Sequence, residues 1–191
     1  MVWNLPILLT WLRILAIPMI IVATVMGKHN PAGPGDAAAG LLFAAAAITD
    51  TLDGYLARRL GQTTSLGAFL DPVADKLIVA VALVLIVSRD THLVMVLTAV
   101  VIIGREIAVS ALREWMAELG HRTRVAVSSL GKYKTIVQMV GVTLLLYRND
   151  LFGLPVYRLG KWLTVCAAVL TLWSMFVYLR AALPYLRERS E

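Results

Sequence analysis

The chain has 191 residues, 59% of them hydrophobic, and a net charge of +6; its mean hydropathy is +0.77. That balance excludes a soluble globular domain and predicts an all-α integral membrane protein, for which this length supplies roughly six spans of about 20 residues. The single cysteine, Cys166, excludes an internal disulfide framework, and the basic surplus sits in spans and short loops that face anionic lipid rather than nucleic acid.

The first predicted span covers residues 5–26, with Asn4 as its cap, Pro6 in its first turn, and Trp3 and Trp11 at the interface. No basic leader with a small-residue cleavage site precedes it, so insertion without cleavage is expected. A polar turn over 28–36 leads to a second span at 37–58, and a third follows at 68–87. The fourth, fifth and sixth are expected at 93–115, 125–147 and 156–179, with a charged tail after them. No internal repeat separates the spans, so residues 1–191 are expected to form one membrane-embedded domain.

Positive charge sorts by side. Arg58, Arg59, Arg122, Arg124, Arg180, Arg187 and Arg189 follow the second and fourth spans or end the chain, while Lys28, Arg89, Arg148, Arg158 and Lys161 occupy the opposite loops. The bias predicts a cytoplasmic location for both termini.

Four aspartates interrupt the apolar pattern on that side. Asp50 and Asp53 are three apart at the end of the second span, and Asp71 and Asp75 are four apart at the start of the third. On a helix each pair shares a face, so two carboxylate pairs can meet across a helical hairpin. A carboxylate in a span costs several kcal/mol, of order 3, unless it meets a cation, a partner or water. Lys76 and Arg58 cannot by themselves neutralise four acids, and a hard divalent cation such as Mg²⁺ is the simplest source of the missing charge. Gly54, Ala57 and Gly67 leave room beside these acids for a bulky ligand. Arg58 can grip phosphate in fork geometry. Two carboxylate-bound ions suit a phosphoryl displacement, where they stabilise attacking and leaving oxygens.

A second constellation is basic. Arg105 lies inside apolar sequence, Arg113 lies two turns further, and Lys132 and Lys134 follow Gly131 at the inner end of the fifth span. Buried cations in excess of local acid suit an anion such as a phosphate on an acceptor. The alternative is local pairing: Arg105 with Glu106 or a lipid phosphate, Arg113 with Glu114 or Glu118, and the lysines snorkelling to the interface. His29, His92 and His121 are scattered without ligand spacing.

The run Asp50-x2-Asp53-Gly54-x2-Ala57-Arg58-x8-Gly67-x3-Asp71-x3-Asp75 resembles the complete signature of the CDP-alcohol phosphotransferases. The resemblance implies an integral membrane bundle of about six helices, generally dimeric, that moves a phospho-alcohol from its CDP ester to a second alcohol and releases CMP. By it, Asp50, Asp53 and Asp71 would be principal ligands of two Mg²⁺ or Mn²⁺ ions, and Asp75 the general base and a further ligand. Gly54, Ala57, Arg58 and Gly67 would border the CDP moiety. Asn4, Thr10 and Arg13 would lie near the nucleotide or its diphosphate, unless Asn4 is only a helix cap and Thr10 only a solvated turn residue.

Four further stretches, N-L-P-I-L-L-T-W-L-R, G-A-F-L-D-P-V-A-D-K-L, R-E-I-A-V-S-A-L-R-E-W-M-A-E-L-G and V-A-V-S-S-L-G-K-Y-K-T-I-V-Q-M-V, resemble bacterial members whose donor is CDP-diacylglycerol and whose acceptor is glycerol 3-phosphate. That implies a bacterial cytoplasmic (inner) membrane enzyme of phospholipid synthesis, with Arg105, Arg113, Lys132 and Lys134 in the glycerol-phosphate pocket. The rival readings are a family member with another acceptor, such as inositol or inositol phosphate, and a divalent-cation transporter. Acids gathered at one membrane end, with no outer set, weigh against transport.

Overall fold

The computed structural model describes residues 5–60, 65–118 and 129–187, with side chains placed outside 5–7, 52–60, 65–69, 113, 116–118, 129–132, 177–179 and 181–187. Six helices account for almost all of it: α1 Leu5–His29, α2 Pro34–Leu60, α3 Ser65–Val87, α4 Leu93–Glu118, α5 Ser129–Tyr147 and α6 Val156–Arg187. Their ends lie within four residues of the predicted spans, except that α6 runs on to Arg187, eight residues beyond expectation. Among the described residues, Leu8–His29, Leu93–Leu112 and Val156–Phe176 are long and apolar enough to cross a membrane, and Tyr133–Tyr147 is a shorter apolar segment. The described parts of α2 and α3 carry the acids that lower their apolarity, Asp36 and Asp50 on one and Asp71 and Asp75 on the other.

The burial pattern is that of a bundle in an apolar solvent. Ile20, Phe43, Leu83, Met95, Ile102, Val142 and Leu145 form the packed centre, with Ala39, Ala46, Ala82 and Ala99 letting backbones approach. Large side chains such as Met19, Val22, Leu41, Ile48, Val100, Trp162 and Trp173 point outward. Helix α1 packs on α2 and α3, α2 and α3 also meet α5, and α6 packs on both α4 and α5. The α1–α2 turn is shorter than the sequence suggests, because α1 runs on to His29 and α2 starts at Pro34. Gly27 and Gly35 allow it: a Cβ on Gly35 would stand 2.6 Å from the Gly27 nitrogen.

Charges at this end are not merely loop charges. Asp36 is fully buried and is ion-paired with Arg89, itself 8% exposed. Arg89 also donates to the Gly27 carbonyl at 3.1 Å, and Asp36 accepts the Ala32 N–H at 3.0 Å. The next residue, Asp90, turns the other way and accepts from Tyr157, from Lys161 at 3.2 Å and from the His92 N–H at 3.2 Å. Burial pushes the Asp90 carboxyl up, but these donors outweigh it and hold its pKa below the ordinary carboxylate value. Arg89 and Asp90 thus tie the α3–α4 turn to α1 and α2 on one side and to α6 on the other.

Removing one partner of a buried pair strands the other charge, which costs about 3–5 kcal/mol, whereas removing both costs far less. Arg89→Leu should therefore unfold in detergent at markedly lower denaturant than wild type, and Arg89→Leu with Asp36→Leu should recover most of the loss. Equal stability of the single and double variants would show that Asp36 does not depend on Arg89.

Candidate active site

Helix α1 presents Thr10 and Arg13 on one face, three residues apart. Both are almost completely buried, at 1% and 2% exposure, because α2 and α3 close over that face. Helix α2 brings Asp50 to it, and α3 brings Asp71 and Asp75 one turn apart. Thr10 Oγ1 donates to Asp71 Oδ1 at 2.5 Å. Arg13 bridges the two helices: Nη2 is 3.0 Å from Asp50 Oδ1, and Nη1 donates to Asp75 Oδ1. A small cavity under this bridge is lined by Arg13, Asp50 and Asp75 and floored by Phe43, Ile78 and Met139.

Three of the four signature aspartates therefore converge on one polar stripe of α1. The fourth, Asp53, lies in α2 with Gly54, Ala57 and Arg58, and Gly67 lies in the first turn of α3; these side-chain positions are outside those described, as are those of Arg113 and Lys132. Asn4 precedes the described residues.

Two sequence expectations change. Thr10 is not a solvated turn residue but a buried helical hydroxyl bound to Asp71. Among the described residues, positive charge for the acids comes from Arg13. Its signal in the sequence was an arginine inside an apolar run with no acid on its own helix. Lys76, considered as a neutralising partner, is exposed and lines a cleft between α3 and α4 with Glu106 and apolar neighbours.

Asp50, Asp71 and Asp75 offer hard oxygen donors, the right chemistry for Mg²⁺ or Mn²⁺. Among the described residues no three acid, histidine or cysteine groups stand in ligand geometry, and Arg13 occupies the space between two of the carboxylates. The donor set suits such an ion in kind, with Arg13 as the charge that would be displaced or shared.

The basic residues lie on the neighbouring helices. Arg105, on α4, is partly buried and donates from Nη2 to Ser174 Oγ on α6 at 3.3 Å. Lys134, on α5, is 4% exposed, with Gln138 one turn away at 2%. Both positions are more enclosed than snorkelling side chains, and the helices that carry them both pack on α6.

The profile of the CDP-alcohol phosphatidyltransferase family matches residues 3–173. The chain is 49% identical over 182 residues to a protein of Escherichia coli (strain K12) named CDP-diacylglycerol--glycerol-3-phosphate 3-phosphatidyltransferase, covering 95% of this chain and 96% of the relative. Proteins of the same name from Shigella flexneri serotype 5b (strain 8401) and Shigella boydii serotype 4 (strain Sb227) match with the same identity and coverage. With three of the signature carboxylates gathered on α1 and the match spanning nearly its whole length, the chain belongs to the CDP-alcohol phosphatidyltransferase family.

Proposed function

We propose that this protein transfers the phosphatidyl group of CDP-diacylglycerol to sn-glycerol 3-phosphate, giving phosphatidylglycerol phosphate and CMP. The observation that carries the reading is the convergence of Asp50, Asp71 and Asp75 on Thr10 and Arg13, in a chain whose relatives over 95% of its length bear the name of that reaction. The whole chain acts as one six-span unit in the bacterial cytoplasmic (inner) membrane. Its aspartates face the cytoplasm, where the charge bias of the loops puts them, and it works as a homodimer.

Asp50, Asp53, Asp71 and Asp75 would hold two Mg²⁺ or Mn²⁺ ions, which when bound supply positive charge to the diphosphate and the departing CMP. Gly54, Ala57, Arg58, Gly67 and Asn4, together with Thr10 and Arg13, would form the CDP side of the site. Arg13 and Thr10 do so indirectly, by fixing the carboxylates. Arg105, Arg113, Lys132 and Lys134 receive the acceptor's phosphate.

The primary hydroxyl of glycerol 3-phosphate attacks the β-phosphorus in line. Its proton passes to the Asp75 carboxylate. The bond from the β-phosphorus to the bridging oxygen breaks, and CMP leaves with that electron pair. Direct displacement is favoured, because no serine, cysteine or histidine nucleophile accompanies the cluster among the described residues.

The test is CMP release from detergent-purified protein given CDP-diacylglycerol and Mg²⁺ with one acceptor at a time. Release with glycerol 3-phosphate alone is the expected result. Release with inositol, inositol phosphate or serine instead would keep the aspartate site and remove the acceptor assignment. Divalent-ion flux in vesicles without CMP from any acceptor would make the protein a transporter.

A further inference from the structure

From α4, Arg105 reaches across to α6. Ser174 receives it, at 3.3 Å from Nη2. The same hydroxyl donates its own proton to the Thr171 carbonyl at 3.0 Å. A serine that gives its hydrogen back to its own helix turns its lone pairs outward, so the group is set as an acceptor for a cation.

The register of α5 against α6 brings the second cation to the same place. Added Cβ atoms would put Gly141 2.5 Å from Thr164 Oγ1 and Gly160 2.9 Å from the Leu145 nitrogen. The two helices are therefore antiparallel and in close contact, with 141 beside 164 and 145 beside 160. Seven residues further along each helix, Lys134 comes level with Thr171, about 10 Å from the glycine contact at 1.5 Å per residue. Lys134 is 4% exposed and Thr171 1%. Ser174 is one turn from Thr171, so the residue holding Arg105 lies within about 5 Å of axial rise of the level of Lys134. Helix α6 is packed on both α4 and α5, and its Thr171–Ser174 turn lies at the level of Lys134 and receives Arg105.

We infer that Ser174 is a positioning residue for the acceptor: it orients the Arg105 guanidinium toward the level of Lys134, so that both cations address one phosphate. The inference rests on the acceptor reading above and deepens it. The fewer rotamers an arginine samples, the lower the entropic cost at which it binds a phosphate. One fixed by a hydrogen bond presents its fork already oriented. Ser174 touches neither the acceptor nor the reacting atoms, so its effect falls on acceptor binding rather than on the chemical step.

Steady-state kinetics on the full-length protein in detergent–lipid micelles test this, varying glycerol 3-phosphate and CDP-diacylglycerol separately. Ser174→Ala is expected to raise KM for glycerol 3-phosphate by roughly threefold to tenfold, the net size of one ordinary hydrogen bond, with kcat and KM for CDP-diacylglycerol nearly unchanged. Ser174→Thr, which keeps the hydroxyl, should restore the wild-type KM. A purely structural role would lower kcat and thermal stability in both variants without singling out one substrate, and that result would overturn the inference. So would an unchanged glycerol 3-phosphate KM in Ser174→Ala alongside a raised one in Arg105→Ala, which would leave the acceptor reading standing. If Arg105→Ala and Lys134→Ala also leave that KM untouched, the acceptor reading fails and the role of Ser174 fails with it.

Discussion

Asp75→Asn is expected to leave a folded protein that releases CMP at least about a hundredfold more slowly, since a positioned general base contributes roughly 10²–10⁴ in rate. Asparagine keeps the size and planarity of the side chain, so packing against Ile78 and Phe43 survives. It cannot take the acceptor's proton, and it cannot answer the charge of Arg13 as the carboxylate does. Asp75 is about one-third exposed, so the stability lost with that ion pair is modest and solvent-screened. The measurement is CMP release together with thermal unfolding in the same micelles. Activity within tenfold of wild type would move the base to another group. A collapsed melting transition would make Asp75 first a structural anchor for α1 on α3.

The second large effect is on stability. Arg13→Gln removes a guanidinium at 2% exposure that joins Asp50 on α2 to Asp75 on α3. Breaking a buried charge arrangement from one side typically costs about 3–5 kcal/mol. Both carboxylates are partly solvated here, so the lower end is expected, a fall in Tm of roughly 6–12 °C for a chain of this size. Millimolar Mg²⁺ should restore much of that, because a divalent ion that binds the folded state supplies the missing charge and stabilises by mass action. Wild type should gain less, since Arg13 already serves two of the acids. Thermal unfolding of both proteins across a Mg²⁺ titration reads this without any substrate. Equal gains would mean that Arg13 and the ion do not compete for the same oxygens. No loss in Arg13→Gln would mean the carboxylates are held apart by solvent alone.

These two results bear on how the site is built. Thr10 and Arg13 are a helical pair that reads, by itself, as one hydroxyl and one cation near a membrane edge. Their importance comes from the α1–α2 and α1–α3 contacts, which lay the stripe against carboxylates supplied by two other helices. An ion held by these acids would share oxygens with Arg13. Arg13 offsets part of the charge of these acids within the fold itself.

Local patterns were legible in the chain itself. Helix positions follow from apolar runs bounded by Gly, Pro and charge, and their ends lie within four residues of expectation except at α6, which continues through the charged tail to Arg187. The face shared by Asp71 and Asp75 follows from the helical repeat, and the family signature is a set of fixed offsets; both need only the order of residues. The α1–α2 turn departs from the local pattern because helix ends depend on neighbours. Residues 28–36 read as a polar turn, yet α1 extends through Lys28 and His29, and Asp36 is sealed inside the bundle by Arg89, 53 positions away. Lys161 and Arg89 read as topology charges and proved to be partners of Asp90 and Asp36.

By itself the sequence determined an apolar helical chain, the location of its acids and bases along that chain, and its family. Those properties are local or cumulative and survive without coordinates. Only the tertiary structure decided which charge meets which: Arg13 with Asp75 across 62 positions, Arg105 with Ser174 across 69, and Thr10 with Asp71 across 61. Residue order carries no distance at such separations. In a bundle whose outer surface is apolar, the few polar groups can satisfy one another only inside, so packing chooses their partners.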